Sequence, residues 1–131
     1  MSFAIGIDVG GTKVLGGIVG SDGEIGVTER RATPPNGGAE LVETIAEVAR
    51  ELLKHQPGSP IGISTAGFIS SDRRTMYANP NIKNWDGLAL ADVLEQRVNA
   101  KIVIENDANC AAWAEYKFGV GRGSDVMVML T

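Results

Sequence analysis

The sequence predicts an α/β fold, a mixed five-stranded sheet with helices on both faces, and three observations carry that expectation. Short apolar runs rich in β-branched residues are bounded by glycines. The first three follow one another across turn signals, as a meander does, and the later ones alternate with segments of helical periodicity. With 131 residues and 44% hydrophobic content, the chain is long and apolar enough for one domain with a real core.

The first run, Phe3 to Ile7, is read as a buried strand with Asp8 at its exit, followed after Val9 by Gly10, Gly11, Thr12 and Lys13. Gly10 and Gly11 open backbone angles closed to other residues, so main-chain N–H groups can turn toward an oxyanion; Thr12 adds a hydroxyl and Lys13 a mobile positive charge. Gly-Gly by itself is also a favoured hairpin loop. The acid, hydroxyl and lysine around it point instead to a turn that handles nucleotide phosphates. Neither the Walker pattern nor the dinucleotide fingerprint is present. The next runs, Val14 to Val19 and Glu24 to Thr28, joined by the turn Ser21 to Gly23, complete a meander reaching about Arg31. Gly16 and Gly17 weaken its second strand and mark a close backbone approach.

Thr33 to Gly38 is a connector by its prolines and glycines. Over Ala39 to His55, Leu41, Ile45, Val48, Ala49 and Leu52 recur at helical spacing, opposite a face carrying Glu40, Glu43, Glu47, Arg50, Glu51 and Lys54. His55, the only histidine, falls in the last turn, where the helix dipole favours a cation and no catalytic role is needed. Pro60 to Gly67 is a fourth strand ending in small residues; Gly67 either lets a ligand lie against the backbone or simply makes a turn.

A polar loop, Ser70 to Arg74, precedes Met76 to Trp85, which holds Asn79, Asn81, Asn84, Pro80 and Trp85. Asparagine offers both donor and acceptor, matching sugar hydroxyls, with Trp85 as an apolar wall; the competing reading is asparagine turn chemistry beside a core tryptophan. Asp86 to Val98 is a second helix with Leu90, Val93, Leu94 and Val98 on its apolar face and Asn99 as its stop. Lys101 to Glu105 is a fifth strand. Asn106 to Asn109 then opens a helix from Ala108 to about Phe118, ending at Gly119. Asp107 at that N-terminus is either a helix cap or, held as an anion by the dipole, a proton acceptor. Four polar residues (Glu105, Asn106, Asp107 and Asn109) crowd this strand-to-helix corner, where open α/β sheets bind ligands, and capping requires no such crowd. Cys110 reads as packing among alanines, and Trp113 and Tyr116 as core or interface. Beyond a flexible passage, Gly119 to Gly123, a sixth strand is expected at Asp125 to Leu130.

The formal charge of −4 gives no basic footprint for nucleic acid, and one cysteine and one histidine give neither a disulfide framework nor a zinc cluster. No run approaches the roughly 20 apolar residues of a membrane helix and no secretion signal opens the chain, so a cytoplasmic protein is expected.

Taken together, Ile7 to Lys13 and Glu105 to Ala112 resemble the paired motifs of the ROK family of sugar kinases and sugar-responsive repressors, and within it the bacterial glucokinases. The order of elements resembles the nucleotide-binding lobe shared by actin, hexokinase and the heat-shock ATPases, the ribonuclease H-like fold. The resemblance covers almost the whole chain. It implies that Gly10, Gly11, Thr12 and Lys13 contact ATP phosphates, with Asp8 near Mg2+ and the transferred phosphoryl group. It further implies that Asp107 takes the proton from the 6-hydroxyl of glucose or a related hexose, that Asn106 holds the sugar, and that Gly67 and either Asn79 or Asn81 contact it.

The family's second phosphate loop, zinc-binding cysteine cluster, further sugar-binding Glu and His residues and adenosine pocket have no counterpart here. Residues 1–122 are accordingly expected to be the N-terminal lobe and 123–131 the start of a second, with no metal ligands in this chain, a homodimer at full length, and no turnover by 131 residues alone. N-acetylmannosamine, N-acetylglucosamine and fructose remain alternative substrates. The family's repressors carry a helix-turn-helix domain ahead of the first motif, where this sequence shows only Met1 and Ser2, so a kinase is the expected class; a stand-alone binding module is the remaining alternative.

Overall fold

A computed structural model describes residues 2–130; Met1 and Thr131, the outer limits of the two expected units, lie outside the described residues. In chain order the elements are β1 (Phe3–Val9), β2 (Lys13–Gly20), β3 (Ile25–Ala32), α1 (Gly38–His55), β4 (Ile61–Thr65), β5 (Phe68–Ile69), β6 (Met76–Ala78), α2 (Leu90–Val98), β7 (Ile102–Asn106) and α3 (Asp107–Phe118). Five strands make one sheet in the order β3-β2-β1-β4-β7. The meander pairs antiparallel, whereas β1, β4 and β7 run parallel, which gives the mixed sheet expected from the sequence.

Strand alternation divides the residues between the two faces. Ile5, Ile7 and Val9 of β1, Val14 and Ile18 of β2, Ile61 and Ile63 of β4, and Ile102 and Ile104 of β7 are buried on the side covered by α1 and α2. From α1 they meet Leu41, Val42, Ile45, Ala46, Val48, Ala49 and Leu52, the apolar stripe of its amphipathic period. Gly16 fits this interface because it has no side chain: a Cβ there would lie 2.6 Å from Val48 Cγ1 and 2.7 Å from Leu52 Cδ1. The other face is covered by α3 beside β4 and β7, with no α3 residue buried. It leaves a groove of about 480 Å³ whose lining includes Gly6, Leu15, Gly17, Val19, Gly62 and Val103.

Three local expectations change. First, α2 starts at Leu90 instead of Asp86, because Gly87 takes φ of +76° and the intervening residues pair with β6: Gly87 N–H donates to Met76 O (2.7 Å) and Met76 N–H to Leu88 O (3.0 Å). Second, the polar loop and asparagine segment contain a small antiparallel ribbon, β5 with β6, outside the main sheet. Third, 126–130 is not a strand; Val126 and Leu130 are 80% and 93% exposed, and strand periodicity without a neighbour to pair with does not make a ladder. Among the described residues, no helix is long and apolar enough to cross a membrane.

The contrast between the two faces is directly measurable. Gly16→Val overfills the α1 interface and should lower unfolding stability by about 1–3 kcal/mol. A Cβ at Gly62 meets nothing within 4 Å, so Gly62→Ala should stay within about 0.5 kcal/mol of the parent. Urea denaturation of both variants checks this, and equal losses would contradict the packing described.

Candidate active site

Parallel pairing aligns the C-terminal ends of β1, β4 and β7 at one end of the sheet. Asp8, Ser64 and Glu105 are register partners across these strands, and so are Val9, Thr65 and Asn106. The first row alternates with the buried isoleucines and lines the open groove, so Asp8 and Glu105 stand on the same face, roughly 10 Å apart by two strand spacings. This is the crevice end at which open α/β sheets bind ligands.

At the β1 exit, the turn is closed by Gly10 N–H donating to Lys13 O (2.9 Å), and it is braced from β3's end by Thr33, whose Oγ1 donates to Gly10 O (2.7 Å) and whose N–H donates to Thr12 O (3.0 Å). Among the described residues, the N–H groups of Gly11 and Thr12 have no partner, and both residues are exposed. The expected unusual backbone angles are absent: neither Gly10 nor Gly11 has a positive φ. Their smallness matters in another way, since a Cβ on Gly10 would lie 3.3 Å from Lys13 O, and the bare Gly11 leaves the main chain open to an approaching anion. Lys13 makes no ion pair among the described residues.

At the β7 exit, the cap of α3 is Asn106 and not Asp107. Its Oδ1 accepts from the N–H groups of Ala108 (2.9 Å) and Asn109 (3.2 Å), while its Nδ2 donates to Gly67 O (2.9 Å). Asp107 becomes the first helical residue; one carboxylate oxygen accepts from Ala108 N–H (2.8 Å) and the side chain is exposed. Glu105 accepts from Asn106 N–H (2.8 Å), Asn109 Nδ2 (3.2 Å) and Arg73 Nε (3.0 Å). Burial works to raise the Glu105 pKa, but these donors outweigh it and hold the carboxyl below its usual range. Cys110 is half-buried and lines the groove instead of packing in a core, and burial pushes its thiol up, away from the thiolate a nucleophile needs.

Gly67 lies where these pieces meet. Its φ is +104° and a Cβ would fall 2.3 Å from Ala78 O, so only glycine fits. Asn79 is turned inward and 4% exposed: its Nδ2 donates to Ala66 O (2.8 Å) and Thr65 Oγ1 (3.3 Å), and its Oδ1 accepts from Asn81 N–H (2.9 Å). Asn81 is exposed and passes close to the phosphate turn, with its carbonyl 4.0 Å from where a Gly11 Cβ would be. Asn84 donates to Asn36 O (2.8 Å), and Trp85 is buried in the core at 1% exposure, so that the tryptophan forms no wall of the site. Arg73 was legible only as part of a polar loop, because its partner Glu105 is 32 residues away. Among the described residues, no three His, Cys, Asp or Glu side chains converge as a metal cluster. The exposed Asp8 carboxylate alone suits Mg2+, which keeps several waters and takes phosphate oxygens with one or two protein carboxylates.

Comparison with known proteins identifies the family and the fold. The ROK family model matches residues 4–131. A glucokinase of Streptomyces coelicolor is 39% identical over 131 residues, covering 100% of this chain and 41% of the relative. Among solved structures, a ROK family glucokinase from Streptomyces griseus in complex with glucose and AMPPNP superposes with a TM-score of 0.86 at 42% identity, covering 95% of this chain and 39% of that one. An inorganic polyphosphate/ATP-glucomannokinase from Arthrobacter superposes at 0.84 with 32% identity, covering 95% and 51%. The chain thus spans about two-fifths of the length of the glucokinases it matches. From the glycine turn to the capped α3 corner, the chain belongs to the ROK family.

Proposed function

We propose that this chain is the N-terminal lobe of a cytoplasmic, homodimeric glucokinase that transfers the γ-phosphoryl group of ATP to the 6-hydroxyl of glucose. The observation that carries the reading is the division of labour at the β7 exit. Asn106 supplies the helix cap, leaving Asp107 exposed at the same sheet end as the unpaired N–H groups of Gly11 and Thr12. Asp107 accepts the 6-hydroxyl proton while that oxygen bonds to the γ-phosphorus and the bond to the ADP oxygen breaks. Asn106 keeps its second Nδ2 hydrogen for a sugar hydroxyl, since Gly67 O engages the first. Asn81 and the backbone at Gly67 flank the sugar, and Asn79 acts behind them by fixing both.

Gly11, Thr12 and Lys13 take the charge of the phosphates. Bound near Asp8, Mg2+ supplies charge neutralisation for the phosphate oxygens. Phosphoryl transfer through a loose transition state needs positioning and neutralisation more than a strong base. A different hexose or phosphoryl donor is the second reading, favoured by the likeness to the polyphosphate/ATP-glucomannokinase.

In the complete protein, Asp107→Asn should lower kcat by about 10²-fold or more while glucose affinity, read by calorimetry, stays within a few-fold; retained turnover would remove Asp107 from the mechanism. A panel of hexoses assayed with ATP and with polyphosphate separates the two readings. The 131-residue chain by itself should release no ADP in the presence of glucose, because one wall of a cleft cannot exclude water around the reacting groups. Glucose-dependent ADP release from it would overturn the single-lobe account.

A further inference from the structure

We infer that Arg73 is a positioning residue for the proposed transfer, acting through Glu105 to fix the Asn106–Asp107 corner; the inference rests on the kinase reading and extends it to a loop outside the two motifs. Arg73 sits in a turn built by Ser70, whose Oγ accepts the N–H groups of Arg74 (3.2 Å) and Thr75 (2.9 Å) and donates to Asp72 Oδ1 (2.5 Å). Its own N–H donates to Ser70 O (2.9 Å), and its φ of +61° is a conformation that residues with side chains rarely adopt. Such angles persist where the surroundings over-determine them, and they cluster at functional sites.

Held this way, Arg73 does two things. Its carbonyl accepts Ile104 N–H (3.0 Å), pairing with the outer edge of β7 as a further strand would. Its Nε donates to Glu105 Oε2 (3.0 Å), while the other oxygen of that carboxylate accepts from Asn106 N–H and the Asn109 amide. Arg74 anchors the same turn, donating to Ile102 O (2.8 Å) and pairing with Asp92 and Glu95 of α2. The exit of β7 is therefore clamped on both sides: by Gly67 O through Asn106, and by Arg73 through Glu105. An exposed ion pair contributes little to folding, and Arg73 is 60% exposed, so the pairing is placed to orient the corner more than to stabilise the domain.

The test is steady-state kinetics of the complete protein with glucose and ATP, read beside its thermal midpoint. Wild-type turnover is measured first; its absence on every hexose removes the kinase reading and this inference with it. Given turnover, Arg73→Gln should lower kcat about tenfold or more, as small misplacements of reacting groups do, with KM for ATP unchanged. Arg73→Lys, which keeps a cation of similar reach, should recover most of the loss and serves if Arg73→Gln does not fold. Arg73→Gln combined with Glu105→Gln should be no worse than the more impaired single variant. A kcat within twofold of wild type for Arg73→Gln, a Lys variant as impaired as the Gln variant, or additive losses in the double variant would each overturn the proposal.

Discussion

The register of three parallel strands is the constraint on which the site depends. Pairing Asp8 with Ser64 with Glu105, and Val9 with Thr65 with Asn106, delivers three separate loops to one end of the sheet at the same height. A slip of one residue in β7 would invert its faces, sending Ile102 and Ile104 out of the core and turning Glu105 into it. The hydrophobic pattern that buries those isoleucines against α1 and α2 thus also aims the polar row. Core packing and site geometry are one requirement, met in β4 and β7 by alternation along strands only five residues long.

On this frame the β7 exit is densely hydrogen-bonded. Each oxygen of Glu105 is engaged, the Asn106 amide bridges to Gly67, and Asn79 ties Ala66 to Asn81. Gly67 must be glycine for the bridge to close, since any side chain there would run into the carbonyl of Ala78. These are mostly hydrogen bonds between loops, and each contributes modestly to stability. Their combined effect is to leave the backbone around Asp107 few alternative conformations, as the role proposed for Asp107 requires.

The parts legible in the sequence are those encoded by local periodicity or local chemistry. Short apolar runs between turn signals showed the meander, β4 and β7, helical spacing showed α1 and the apolar face of α2, and an alanine-rich stretch ending at a glycine showed α3. The clustering of Glu105, Asn106, Asp107 and Asn109 marked the corner before any contact was known. What escaped was set at long range. Gly87 ended the expected first turn of α2 because its neighbours pair with β6, and strands of two and three residues fall below any periodic window. Asn79 and Asn81 looked alike in sequence, yet one is buried and spent on its neighbours while the other is exposed. Valines at 126 and 128 had strand character, but a strand exists only beside another.

The two ends of the site differ in how their polar groups are employed, and the difference follows from what each meets. At the glycine turn the N–H groups of Gly11 and Thr12 stay unpaired among the described residues, a condition that solvent makes inexpensive while the turn is exposed and that an arriving anion would exploit. At the α3 corner, by contrast, Asn106 satisfies the helix N-terminus from within the protein. Had Asp107 been the cap, its carboxylate would have been committed to the N–H groups of Asn109 and Cys110, two and three residues on, and not available for the proton transfer proposed for it. Moving the cap back by one residue gives α3 its N-terminal hydrogen bonds and leaves Asp107 an oxygen free of intramolecular partners among the described residues. A neutral amide as the cap followed by an exposed carboxylate is thus a division that a single aspartate at the cap position could not have made.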